Sequence, residues 1–251
     1  MVEKMGLYKY LFFSQVLSIL IPALIFLYLY HRENFLVYIK AKMPKMNLFF
    51  MYSVMLLFLA YPLIQFSYTV NKKLPIANWF SDQSQFINSF MADIMHINSF
   101  MDFITKIFLV ALIPAVSEEL FFRAGIQNEL TGHMKNKDIA IILAAILFSA
   151  VHFQFDGFLP RFFLGLILGY VYYWSQSIWV SMTIHFLNNA LLIVGAYLQQ
   201  DQIDEIINEP DAEKLPLHIL LMSIVAVFVL RHKMYTMWKE INNPPIEENN
   251  V

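Results

Sequence analysis

The sequence predicts an all-α membrane protein, a polytopic bundle of about seven transmembrane helices. The chain of 251 residues is 59% hydrophobic and only 14% charged, whereas soluble domains are about 45–50% apolar and about 25% charged. The apolar residues are also gathered into long runs rather than spread as amphipathic stripes. Both observations make the lipid bilayer the expected solvent of this chain.

Seven apolar segments predict the individual helices. They cover residues 10–30, 48–70, 102–130, 139–155, 160–175, 178–198 and 215–231. A helix needs about 20 apolar residues to cross the hydrocarbon core, and the fourth and fifth segments are shorter than that. We therefore expect these two helices to be tilted or sheltered by their neighbours. The first segment is too long for a signal-peptide core, so we interpret it as a retained membrane helix.

The distribution of Lys and Arg predicts the orientation. With seven spans, one side of the membrane receives two basic connections and the basic C-terminal tail, which contain Arg32, Lys40, Lys42, Lys45, Lys135, Lys137, Arg231, Lys233 and Lys239. The acidic connection 199–214 falls on the opposite side, together with a smaller basic group, Lys4, Lys9, Lys72 and Lys73. Basic connections are retained in the cytoplasm. We therefore expect a plasma-membrane protein with its N-terminus outside and its C-terminus inside.

The chain is expected to form a single transmembrane domain over residues 1–241, with a motif-bearing core at about 102–198. The polar tail 242–251 contains two prolines and is expected to be disordered. The segment 74–101 mixes aromatic and polar residues, which fits an interfacial amphipathic helix and an ordinary structured loop equally well.

The composition excludes several classes of function. The net charge is −2 and no basic cluster is interleaved with aromatic residues, so a nucleic-acid partner is not expected. Cysteine is absent, which excludes disulfides, thiolate metal sites and a cysteine nucleophile.

Two adjacent glutamates lie in the third apolar segment, within the sequence SEELFFRAGIQ. An ionisable group in a membrane span costs roughly 2.5–3.5 kcal/mol on insertion scales, so it usually has a partner or a task. Glu118 and Glu119 would point about 100° apart on a helix, which gives them different roles. Arg123 follows Glu119 at i,i+4, within ion-pair reach. We expect Arg123 to fix Glu119 and leave Glu118 free; an ion-paired helix end at the membrane interface is the structural alternative.

Two further polar clusters lie on other spans. His152 closes the fourth apolar segment, where a packed or interfacial histidine would be the commoner interpretation of that residue alone. His185 and Asn189 are spaced i,i+4 on the sixth segment, where they could equally join helices through hydrogen bonds. Taken together, the three clusters supply the groups used for general-base catalysis and oxyanion stabilisation. They also contain a His₂Glu zinc-ligand set, although without the helical His-Glu-x-x-His spacing.

These motifs resemble those of a known family of membrane proteases. The matching patterns, in chain order, are Glu118-Glu119-x-x-x-Arg123, Phe148-x-x-x-His152 and His185-x-x-x-Asn189. They are similar to the motifs of the CPBP family, which comprises the type II CAAX prenyl endopeptidases and the bacteriocin-processing or bacteriocin-immunity proteases, also called Abi proteins. The resemblance covers residues 110–195 and implies a peptide-bond hydrolase with its site inside the membrane.

The resemblance also implies a role for each motif residue. Glu118 would be the general base that activates water, and His152 would help to hold that water. Glu119 would orient the site together with Arg123. The two remaining motif residues, His185 and Asn189, would bind the carbonyl oxygen as negative charge develops on it.

The family has been described both as metalloproteases and as metal-free glutamate proteases. With a divalent metal such as zinc, His152, His185 and Glu118 would be the ligands, and the ion would acidify a bound water. We favour the metal-free route, because the sequence shows no compact ligand motif and no evident carboxylate that would support either histidine as a ligand.

The resemblance implies a membrane-associated peptide or protein as substrate, with a prenylated CaaX tail as the best-known example in the family. A non-enzymatic immunity or scaffold protein of the same fold is the main alternative. A transporter with proton-relaying carboxylates is a third interpretation. It is opposed by the lack of an internal repeat and of matching spans broken by glycine or proline.

Overall fold

The computed structural model of this chain describes residues 2–44, 47–74, 90–199 and 215–242, and these ranges contain helices and connections but no strand. We name the seven longer helices within them in chain order. They are α1 (Met5–Tyr38), α2 (Asn47–Lys72), α3 (Phe100–His133), α4 (Lys137–Ala150), α5 (Phe158–Ser175), α6 (Ile178–Leu198) and α7 (Leu217–Asn242). The predicted all-α polytopic bundle is confirmed.

Six of these helices are long and apolar enough to cross a membrane, and α4 is the exception. With 14 residues, α4 is only about 21 Å long, whereas the hydrocarbon core is about 30 Å thick. It packs closely on α5, since a Cβ placed on Gly165 would lie 3.2 Å from the Cα of Ala145. Small residues of this kind let two membrane helices approach closely, so α5 shelters the short fourth helix.

Several helices extend beyond their predicted ends because packing continues after the apolar run stops. Helix α7 was expected to end near residue 231 but continues to Asn242. Its additional turns bury Met234 and Met237 in a core cluster formed with α2, α5 and α6. Helix α3 is continuous, with a wide i→i+5 stretch at Ile107–Leu112, just before Pro114.

The connections meet at two opposite ends of the bundle. At one end, Asn71 of α2 donates from Nδ2 to the carbonyl oxygen of Phe155 at 2.6 Å, and its Oδ1 accepts from the Leu159 amide at 2.9 Å. At the other end, the Ile178 amide donates to the Lys40 carbonyl oxygen at 3.1 Å. We call this second end the basic end, because it contains the connections α1–α2, α3–α4 and α5–α6 and the last turns of α7.

Parts of three predicted segments lie outside the described residues. They are 75–89 of the segment 74–101, 200–214 of the acidic connection, and 243–251 of the tail. Within the first of these segments, residues 90–95 are helical. The expectations of an interfacial helix, of a disordered tail and of a single domain remain predictions, as does the orientation in the membrane.

Candidate active site

A buried ion pair forms the base of the candidate site. Arg123 donates from Nε to Oε2 of Glu119 at 3.1 Å, and both side chains are 0% exposed. The guanidinium carbon also lies 5.2 Å from the ring centroid of Phe148, within cation–π range. Beginning at Glu119, α3 is wound in i→i+5 turns as far as Gln127, a helical form that is rare and often found at functional sites. The predicted i,i+4 pair is therefore present in the bundle interior.

His185 lies between the two glutamates. Its Nδ1 is 3.1 Å from Oε1 of Glu119, and its Nε2 is 3.8 Å from Oε2 of Glu118. The ring is 2% exposed. A carboxylate can only accept, so Nδ1 donates to Glu119, and Nε2 of a neutral ring then carries the lone pair. Glu119 thus joins Arg123 and His185 and fixes both.

His152 lies at the more open side of the site. Its Nδ1 donates to the Phe148 carbonyl oxygen at 2.8 Å, while its Nε2 is 4.0 Å from Oε2 of Glu118. The side chain is 31% exposed. The next residue, Phe153, has φ of +51°, a left-handed conformation that is strained for a bulky side chain and is often found at functional sites. This tight turn after α4 directs His152 back towards α3.

The two carboxylate oxygens of Glu118 have different surroundings. Oε1 accepts a hydrogen bond of 2.8 Å from Nε2 of Gln15 on α1. Oε2 faces the two imidazole nitrogens of His152 and His185 at 4.0 and 3.8 Å, which is too far for direct hydrogen bonds. Gaps of this length between polar atoms are commonly bridged by water. Glu118 is therefore held by one oxygen and open at the other.

Asn189 lies one turn beyond His185 on α6. Its Oδ1 accepts from Nδ2 of Asn188 at 3.2 Å, and within the described residues no hydrogen bond joins it to either glutamate or to His152. The structure thus brings together five of the six predicted residues, and Asn189 lies beside them on the same helix as His185.

Comparison with known proteins assigns this region to a family. Residues 100–191 match the family model described as type II CAAX prenyl endopeptidase Rce1-like. We refer to residues 100–191 as the Rce1-like domain, because this range is similar to that family. All six predicted site residues lie within it, and the resemblance inferred from the motifs is confirmed over this range. Together with the six apolar helices, this match identifies the chain as an integral multi-pass membrane protein with a region similar to a family of endopeptidases.

One curated relative also matches. The uncharacterized protein YpbD of Bacillus subtilis (strain 168) is 28% identical over 109 residues, which are 41% of this chain and 53% of YpbD. The chain thus spans about half the length of the curated relative it matches. No solved structure matches the chain.

The geometry of the Rce1-like domain bears on the metal question. Two ligands about 2.1 Å from one tetrahedral zinc ion are about 3.4 Å apart, but Glu118 Oε2 lies 3.8 and 4.0 Å from the nitrogens of His185 and His152. Across the described ranges, no group of three such side chains is arranged to hold an ion. The donor types suit zinc but their spacing does not, so no reaction step is derived through a metal.

One of our reasons for favouring the metal-free route was nevertheless wrong. The sequence showed no carboxylate supporting either histidine, whereas Glu119 Oε1 accepts from Nδ1 of His185. Carboxylates in this position orient metal-ligating histidines in many proteins. They also orient histidines that act without metal, so the metal-free route is supported by the donor spacing and by the lack of a compact ligand motif in the sequence.

Two residues near the site were missed in the sequence. Gln15 lies outside the Rce1-like domain, 103 residues before Glu118, and also donates to Ser117 Oγ at 3.0 Å. It was overlooked because only ionisable groups in apolar runs were considered; an amide inside FFSQVLSIL is unusual in the same way. Arg161 of α5 donates to the side chain and the carbonyl oxygen of Gln154. It thereby closes the turn that follows His152.

Proposed function

We propose that this chain is an intramembrane endopeptidase that hydrolyses a peptide bond of a membrane-associated substrate with a water activated by Glu118. The observation that supports this most directly is the open oxygen of Glu118, which faces Nε2 of His152 and of His185. A carboxylate next to hydrogen-bonding partners for one water molecule is the arrangement that general-base catalysis needs.

The attack on the substrate begins with this water. It donates one proton towards Oε2 of Glu118 and is steadied by Nε2 of His152, which accepts because Nδ1 is bound to the Phe148 carbonyl oxygen. As the water oxygen bonds to the scissile carbonyl carbon, its proton passes to Glu118. The tetrahedral intermediate then collapses: its carbonyl re-forms, the C–N bond breaks, and the proton on Glu118 passes to the leaving amine nitrogen. This restores the carboxylate for the next cycle and leaves the water oxygen on the new carboxyl group.

The developing oxyanion is stabilised by His185, with Asn189 as the second donor. Nδ1 of His185 is held 3.1 Å from Oε1 of Glu119, so its Nε2 faces Oε2 of Glu118 at 3.8 Å, on the side where the water attacks. In this position Nε2 donates to the oxyanion when it carries a hydrogen. Buried donors held in place before the reaction stabilise transition-state charge more strongly than water does.

We propose that the substrate class includes prenylated CaaX-type tails, and that the reaction is metal-free. The first proposal is supported by the family of the domain at residues 100–191, and the second by the spacing of the donor atoms. We also propose that the chain lies in the plasma membrane with its N-terminus outside and its C-terminus inside, a proposal supported by the distribution of basic residues.

The test is proteolysis by the purified chain in proteoliposomes. The substrates are a fluorogenic prenylated CaaX peptide, the same peptide without the prenyl group, and peptides anchored by a transmembrane helix. Each is assayed with and without a chelator. Cleavage that the chelator leaves unchanged supports the proposal. Cleavage that the chelator abolishes and zinc restores overturns the metal-free route. A folded protein that cleaves none of them favours the non-enzymatic immunity or scaffold alternative.

A further inference from the structure

A cavity lies at the basic end, away from the glutamates. It has a volume of about 660 Å³ and opens between the α3–α4 connection, the end of α5 and the later turns of α7. Three cations line it, Lys135, Lys137 and Arg231, against one acid, Asp138, among the described lining residues. Its wall also carries four aromatic residues, Tyr173, Trp174, Tyr235 and Trp238. This combination of cations and aromatic rings is typical of the membrane–water interface.

The charges in this cavity favour an anion. The acid, Asp138, already accepts a hydrogen bond of 2.8 Å from the hydroxyl of Tyr170. Lys137 is fixed by donating to the carbonyl oxygens of Thr131 and Met134 at 2.5 and 2.9 Å. Its charge therefore stays beside the cavity together with those of the exposed residues Lys135 and Arg231.

An apolar groove continues from the same cavity along the bundle. It has a volume of about 450 Å³ and runs between α2, α5 and α7, lined by residues such as Leu63, Phe163 and Val227. Trp174 and Arg231 line both the cavity and the groove, so a cationic group lies where the two meet. A groove of this volume could hold roughly one turn of an α-helix about 10 Å wide, too little for a stable helical partner.

The geometry points to a binding site for an anionic phospholipid, with its phosphate in the basic cavity and an acyl chain in the apolar groove. Basic pockets between membrane helices at the cytoplasmic side are a known way to bind anionic head groups. The apolar groove selects a lipid rather than free phosphate, because only a lipid joins the anion to a hydrocarbon chain. The groove lies on α2, α5 and α7, whereas the candidate catalytic side chains are on α3, on α6 and in the turn after α4, so this site does not depend on the proposed protease activity.

Lipid binding to the detergent-purified full chain, measured by native mass spectrometry without substrate, tests the proposal. The ligands are phosphatidylglycerol, phosphatidylcholine with the same acyl chains, and inorganic phosphate as a competitor. We expect phosphatidylglycerol to bind at least tenfold more tightly than phosphatidylcholine, and phosphate not to displace it. Equal binding of the two lipids, or full displacement by phosphate, would overturn the lipid assignment.

Matched variants locate the site. Removing one surface cation weakens anionic lipid binding roughly fivefold, so Lys135→Gln with Arg231→Gln should weaken phosphatidylglycerol binding roughly 25-fold. Val227→Trp should also weaken it by filling the groove. Lys239→Gln, an exposed residue of α7 outside the cavity lining, is the control and should bind like the wild type. Wild-type affinity in both the double variant and Val227→Trp would contradict the proposal.

Discussion

The side-chain amide of Gln15 donates a 2.8 Å hydrogen bond to Oε1 of Glu118, across 103 residues of sequence. It connects α1, which lies outside the Rce1-like domain, with the proposed catalytic base inside it. This bond holds one carboxylate oxygen, while the other faces the two imidazoles. We therefore expect Gln15 to act as a positioning residue for Glu118.

We expect Gln15→Met to lower kcat with little change in KM. A hydrogen bond to a charged group contributes about 1.5–3 kcal/mol, which corresponds to a decrease of roughly 10- to 150-fold if the bond acts in the transition state. Steady-state kinetics in proteoliposomes checks this. The matched control is Ser14→Ala, since the Ser14 hydroxyl donates only to its own helix at the Leu11 carbonyl oxygen. A rise in KM at constant kcat would show that Gln15 contributes to substrate binding instead.

Arg123→Ala should unfold the protein more easily, in addition to stopping cleavage. It leaves Glu119 buried without its cation, and breaking a buried pair in this way costs about 3–5 kcal/mol. Reversible unfolding in mixed micelles measures the change. Adding Glu119→Gln should recover part of the lost stability but not the activity. If Arg123→Ala were as stable as the exposed control Lys233→Ala, the pair would not have the structural role assigned to it.

The two histidines should differ in their effect on stability. The His152 side chain is 31% exposed and that of His185 only 3%, so both alanine variants should lose activity but only His185→Ala should also lose stability. His185→Ala leaves a hole and removes the donor to Glu119, whereas His152→Ala removes a half-exposed ring. Cleavage rates and thermal unfolding of the same preparations give both readouts. Equal destabilisation by the two variants would be inconsistent with this geometry.

Most of the site could be predicted from the sequence because its ionisable residues stand inside apolar runs, where such residues are uncommon. Ionisable groups in apolar runs are costly, so Glu118, Glu119 and Arg123 were visible without a structure, and their pairing followed from i,i+4 spacing. The role of Gln15 was not predictable, because an amide costs less than a charge and its partner is on another helix.

The positions of the helices could also be predicted from the sequence, except at their ends. Hydropathy located all seven helices, but it could not show that α7 continues to Asn242, because buried methionines rather than an apolar run stabilise its last turns. Likewise, Arg161 of α5 donates to Gln154, directly after the left-handed residue Phe153, and no local pattern encodes this contact.

Lys40 gives the protein a pH dependence unrelated to catalysis. Burial in the α1–α2 connection lowers the pKa of Lys40 from 10.5 to about 8. The unfolded chain therefore binds more protons than the folded chain between about pH 8 and 10.5. The free energy of unfolding should accordingly rise with pH across this window. Lys40→Met should remove the rise and be more stable than the wild type at pH 7. Unfolding measured from pH 7 to 10.5 tests this, with the exposed Lys42→Met as control. An unchanged rise in Lys40→Met would assign it to other groups.

Glu118→Gln is the most direct test of the proposed mechanism. The amide preserves the size of the side chain but cannot accept the proton of water, and losing a general base costs roughly 10²–10⁴ in rate. Initial cleavage rates should be compared for the wild type, Glu118→Gln and the exposed control Glu240→Gln in the same proteoliposomes, with unfolding measured in parallel. We predict that Glu118→Gln folds like the wild type and loses cleavage by at least about 100-fold, while Glu240→Gln keeps it. Wild-type cleavage by folded Glu118→Gln would contradict the assignment of Glu118 as the base.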